Sequence, residues 1–188
     1  IKNNSIKNLT IQAQYANVVD VAVALYTDAK YKLGSAYLAA QYFDTNYDAS
    51  SSKDSSMYGL KAGINLSGVH LFTGYTSTDD ANDVVRGIGQ GAYAHYTATT
   101  KTAGASAFKA GTDSWQVGAA YKFGDLKTKL RYSSFDQPSL NADLDEITVN
   151  LDYKISKDLK AQLDYSILDY ENDTKDATDL RTRLIYSF

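Results

Sequence analysis

The 188-residue chain has no cysteine, one proline, one tryptophan and two histidines. Without cysteine there is no disulfide framework, no thiol chemistry and little prospect of a zinc site. A single proline leaves almost every backbone N–H free to donate, as a chain made mostly of hydrogen-bonded strand requires. The two histidines, His70 and His95, offer little for acid–base catalysis. His70 is expected to face inward beside a tight turn, and His95 has no acid next to it, so no enzymatic activity is expected. No run of about twenty apolar residues occurs, which excludes a membrane-spanning helix. The acidic run Thr78-Asp79-Asp80 reads as solvated surface, so neither a metal nor a cofactor is expected. A net charge of −3 argues against nucleic acid as a partner.

Sixteen tyrosines and a hydrophobic fraction of 44% are present. Mean hydropathy is −0.37. That value fits a soluble domain and a transmembrane barrel equally, because only alternate residues of a barrel strand face lipid. Periodicity has to separate the two, and period two recurs throughout. Leu159, Ala161, Leu163, Tyr165 and Ile167 alternate with Lys160, Gln162, Asp164 and Ser166. Similar alternation runs through 9–15, 19–25, 58–66, 69–75, 115–123, 126–133, 147–154 and 180–188. The stretch 31–43 also reads as strand, with an ambiguous register because Gln41 falls among apolar positions. About ten strands are therefore expected.

The connections alternate in length. Ser67-Gly68, Gly124-Asp125 and Ser156-Lys157-Asp158 are tight turns. Between them come longer loops at about 45–56, 79–112, 136–143 and 170–178. Short turns at one end and long loops at the other mark an antiparallel transmembrane β-barrel. A soluble β-sandwich shows the same alternation but has no reason to gather its long loops at one end. Tyr58, Tyr75, Tyr121, Tyr132, Tyr153, Tyr165 and Tyr186 are expected on the lipid face, largely near the interfaces. The opening IKNNSIKNLT reads like the interior of a barrel sequence, so the chain is expected to be part of a longer one.

Residues 5–43, SIKNLTIQAQYANVVDVAVALYTDAKYKLGSAYLAAQYF, resemble the middle of OprD-type porins and of the Campylobacter-type major outer membrane porin. The resemblance lies in a run of the form KNLT…YAxVxDV…YxxAxYKxG. The terminal LRTRLIYSF resembles the closing strand of outer-membrane barrels. The resemblance implies the C-terminal half of a barrel of roughly 16–18 strands. It also implies an outer-membrane location, a homotrimer, and passage of ions and small hydrophilic solutes. Lipid and lipopolysaccharide would be the outer partners.

The functional surface of such a pore is its inward-facing set. Here that set is Lys61, Lys122, Lys127, Lys129, Arg131, Lys154, Lys160, Arg181 and Arg183, opposed by Asp20, Asp152 and Asp164. The remaining acids are expected mainly in loops, Asp44 among them. Arg131, Asp152, Asp164 and Arg183 are expected at similar height, as a row across the wall. Such a row reads either as a lattice stiffening the wall or as part of a ladder, with unpaired Lys127, Lys129 and Arg181 guiding anions. The long loop 79–112 carries Asp83, Arg86 and His95. It either folds inward as a constriction or shields the outside. A structural or adhesive barrel with a plugged lumen is the alternative to a porin.

Overall fold

The computed structural model describes residues 1–85, 95–138, 143–171 and 176–187. They form β1 (Lys2–Asn3), β2 (Leu9–Val18), β3 (Ala22–Leu33), β4 (Ala36–Tyr47), β5 (Ser55–Leu66) and β6 (Val69–Thr78). After the long loop come β7 (Asp113–Phe123), β8 (Leu126–Asp136), β9 (Leu144–Lys154), β10 (Leu159–Tyr170) and β11 (Ala177–Tyr186). A short helix α1 (Lys101–Ala107) lies inside that loop. The eleven strands make one sheet in sequence order. Every described neighbour pair is antiparallel. No second sheet faces the first among the described residues, which removes the sandwich reading.

The stretch 31–43 is not one strand. Gly34, at φ +62, turns the chain between β3 and β4, a conformation glycine adopts without steric cost. Asp20 is not on the wall either. It sits at φ +61 in the tight turn between β2 and β3, with Val19 and Val21 beside it. This turn is short although it lies at the end that carries the long loops. Asp44 belongs to β4 and faces outward, opposite Leu25 and Ser56.

One face of the sheet is bare and apolar. Leu38, Leu60, Leu130 and Leu184 are each more than half exposed there. A protein surrounded by water inverts this pattern, whereas lipid demands it. Tyr58, Tyr75, Tyr121, Tyr153, Tyr165 and Tyr186 are exposed on this side. Tyr132 packs its ring on Trp115 at 5.1 Å. Two of these hydroxyls donate to carboxylates near the long-loop end, Tyr75 to Asp113 at 3.0 Å and Tyr132 to Asp145 at 2.8 Å. Each ring thus keeps one wet end, as an interfacial tyrosine does.

Candidate functional site

The opposite, inner face carries the charges and is covered in part by loop 79–112. Cross-strand register orders its side chains into rows. One row runs Lys30, Ala39, Lys61, Gly74, Gln116, Ser133 and Glu146. The next, nearer the short turns, runs Tyr37, Gly63, Phe72, Gly118, Arg131 and Thr148. Lys129, Asn150, Asp164 and Arg181 follow, and then Lys127, Asp152, Gln162 and Arg183.

The loop packs on this face through two apolar seats. Val84 and Phe108 join Tyr26, Phe43 and Met57. Ala103 and Ala107 join Phe135, Leu144 and Leu168. Polar contacts fix it between the seats. The Thr97 carbonyl accepts from Gln116 Nε2 and from Ser133 Oγ, each at 2.6 Å. The Thr97 hydroxyl bonds Ser114 at 2.7 Å. The Glu146 carboxylate accepts the backbone N–H of Thr99 at 3.0 Å and of Thr100 at 2.8 Å. Thr100 in turn caps α1, its hydroxyl accepting from Ala103 N–H at 3.1 Å. Within the loop, Asp83 accepts from Lys109 Nζ at 2.6 Å and from Ala110 N–H at 2.9 Å.

His95 is buried in this assembly and lies edge-on to Phe108 at 5.1 Å. Its Nδ1 accepts from Thr97 N–H at 3.2 Å. Burial pushes its pKa down to about 3; the charge of Lys61 adds to the shift, and the Ala107 carbonyl opposes it. Tyr96 donates its hydroxyl to Asp28. Burial raises its pKa, and the bond to Asp28 raises it further. Arg86, named with Asp83 and His95 from the sequence, lies outside the described residues.

The expected row of Arg131, Asp152, Asp164 and Arg183 is replaced by a different network. Arg131 donates to Asn150, Asn150 donates to Asp164 at 2.6 Å, and Arg183 donates to Asp164. Asp152 sits one row nearer the short turns, because register pairs it with Lys127 and Gln162. There it accepts from Gln162, and Lys160 lies 3.9 Å away. Arg181 is paired with Asp179 at 3.3 Å and so is not the free rung the sequence suggested.

The lysines behave differently. Among the described residues, Lys61, Lys122, Lys127, Lys129 and Lys154 make no ion pair. Lys30, Tyr37, Phe72, Asn150, Asp179 and Glu146 belong to the same surface and were not singled out from the sequence. Lys30 and Tyr37 flank the β3–β4 turn, so their facing depended on that turn. The partners of Glu146 are contributed by a loop 46 residues away.

A polar cavity of about 370 Å³ opens on this wall beside α1. Thr99 and Thr100 line it from the loop, and Arg131, Asn150, Asp164 and Arg183 from the sheet.

The fold is similar to those of several solved structures. Over 98% of the chain it matches OprD of Pseudomonas aeruginosa at a TM-score of 0.77 and 15% identity, covering 57% of that chain. OccK10 (OpdN) of Pseudomonas aeruginosa matches all of the chain at 0.77 and 17%, with 59% of its own length covered. OccAB4 of Acinetobacter baumannii matches 98% at 0.76 and 16%, with 51% covered. The chain thus spans between half and three fifths of the length of these proteins. No curated protein matches it. The family model for Gram-negative porins matches residues 3–173. An apolar outer face, a charged inner face and a loop seated on the inner side agree with that match, and the chain belongs to the Gram-negative porins of the bacterial outer membrane.

Proposed function

We propose that this chain forms the wall of a water-filled channel for passive diffusion of ions and small hydrophilic solutes, with loop 79–112 as its constriction. The observation that carries this reading is the seating of the loop on the charged face, where its backbone is hydrogen-bonded to Gln116, Ser133 and Glu146. A loop held against the inner wall narrows a barrel while leaving the rest of the lumen to water. A solute that passes exchanges part of its hydration for wall groups, so fixed charges on the wall decide which ions pass easily. Two arginines of this wall are paired, Arg181 with Asp179 and Arg183 with Asp164, while Arg131 is held by the neutral Asn150. Arg131 and the lysines Lys61, Lys122, Lys127, Lys129 and Lys154 are in no ion pair among the described residues, so the reading favours anions. Outer-membrane lipid and lipopolysaccharide are the partners of the apolar face, and the trimer implied by the resemblance would use part of that face.

Planar-bilayer recording of the native protein across a salt gradient tests this. Stepwise conductance with a reversal potential of the anion-selective sign is expected. Silence from a folded barrel would overturn the channel and leave a plugged structural or adhesive barrel.

A further inference from the structure

We propose that Tyr37, His70 and Phe72 are positioning residues for anion selectivity, holding Lys30, Lys61 and Lys129 on aromatic faces so that they stay unpaired. This rests on the channel reading above and assigns a role to residues that touch no carboxylate.

Register places Tyr37 opposite Gly63, Gly63 opposite Phe72, and Phe72 opposite Gly118. Both rings lean over the glycine of the next strand. A Cβ on Gly63 would come 2.4 Å from Tyr37 Cε1, and one on Gly118 would come 2.3 Å from Phe72 Cζ. Any side chain at either glycine would therefore displace the ring, a close approach that glycine alone permits. His70, one row nearer the short turns, links the two rings. Its ring stacks with Tyr37 at 5.8 Å and 20°, and with Phe72 at 5.5 Å and 22°. Its Nδ1 lies 3.0 Å from Asn65 Oδ1, which accepts the ring N–H and holds its plane.

The lysines sit on this stack. Lys30 Nζ lies 3.8 Å from the Tyr37 centroid. Lys61 and Lys129 lie 5.2 and 5.6 Å from that of Phe72. An ammonium is drawn to a ring face by the ring's quadrupole. Carboxylates stand nearby in register: Asp28 is two residues before Lys30 on the same face of β3, and Asp152 is one row from Asn150, the residue opposite Lys129. Neither forms an ion pair with those lysines among the described residues. Asp28 is engaged by the Tyr96 hydroxyl, and Asp152 by Gln162. A lysine is a point charge on a flexible four-carbon stem. Released from its ring, it would swing toward the nearest carboxylate and be neutralised there. The stack thus keeps the β3–β8 part of the wall cationic, whereas on β10 and β11 Lys160, Arg181 and Arg183 are paired with Asp152, Asp179 and Asp164.

The test compares Tyr37→Leu, Phe72→Leu, Gly63→Ala and Gly118→Ala with the parent channel in bilayers. The readout is the reversal potential, with folding monitored separately by heat-modifiable gel mobility. Each variant is expected to lower the anion-to-cation permeability ratio about two- to fivefold. Gly63→Ala should match Tyr37→Leu although the ring remains, and Tyr37→Phe should keep the parent ratio. Folded, conducting variants with the parent reversal potential overturn the proposal, whereas a silent parent overturns the channel reading instead. Where a Leu variant does not fold, Lys30→Gln combined with Gly63→Ala decides. No further loss beyond either alone is expected, and additive losses would defeat the proposal.

Discussion

The carboxylate of Glu146, buried on β9, accepts the backbone N–H of Thr100, the residue that caps α1, at 2.8 Å. With the Thr99 amide at 3.0 Å it closes a two-point clasp between wall and loop. Hydrogen bonds to an ionised group are among the stronger ones, and leaving a buried donor without its acceptor costs about 1–3 kcal/mol. Glu146→Ala is therefore expected to loosen loop 79–112 without unfolding the sheet. Open-channel conductance should rise, and added protease should cut the loop while the strands resist. A variant with the parent's conductance and resistance would show that the apolar seats alone hold the loop.

Acid should loosen the same loop through His95. Its pKa is about 3 in the seated loop, against about 6.5 for an unperturbed imidazole. Between those values a released loop binds a proton that the seated loop does not. Seating is therefore fully supported above about pH 6.5 and weakens as pH falls toward 3. Conductance recorded while lowering pH through this window should rise. His95→Asn cannot titrate and should remove that part of the pH dependence.

The strands were legible wherever alternation ran unbroken, as in β8 to β11. The β3–β4 hairpin was not, for a reason visible in the numbering. Outward residues are odd before Gly34, as Tyr31 and Leu33 are, and even after it, as Leu38 and Tyr42 are. A single strand fitted across 31–43 meets both parities, which is why Gln41 looked misplaced; it faces inward and is buried. Residue identity on the charged wall was also legible, but its pairing was not. The offset that puts Asn150, in place of Asp152, beside Asp164 is set by the β9–β10 turn. Helix α1 spans only seven residues, too few to show a period, and the Glu146 clasp joins segments that no local pattern connects.

Asp164 offers a test with the opposite sign to the aromatic variants. It accepts from Asn150 at 2.6 Å and neutralises Arg183. Asp164→Asn would remove the negative charge and leave the Arg183 guanidinium unpaired on the wall. Anion selectivity should increase, read as a larger reversal potential in the same salt gradient. The cost to stability should be small, about 0–1 kcal/mol, because Arg183 is 47% exposed and the pair is partly screened. A fall in selectivity would mean that Arg183 finds another acid, Asp152 being the one on its own row.

The outer face is tested by placing a charge on it. Leu163 lies opposite Leu151 on β9 and Thr182 on β11, and Val149 lies opposite Leu130 and Tyr165. Both positions fall in mid-strand, between tyrosines expected at the two interfaces. A lysine at the bilayer midplane of a barrel costs about 2–4 kcal/mol, falling toward zero near the headgroups. Leu163→Lys and Val149→Lys should each lose stability of that order in urea titrations of vesicle-inserted protein. The same change at Tyr186, beside the short-turn end of β11, should cost much less. Equal losses at all three sites would mean that depth does not set the cost. No loss at Leu163 and Val149 would mean that this face does not meet lipid.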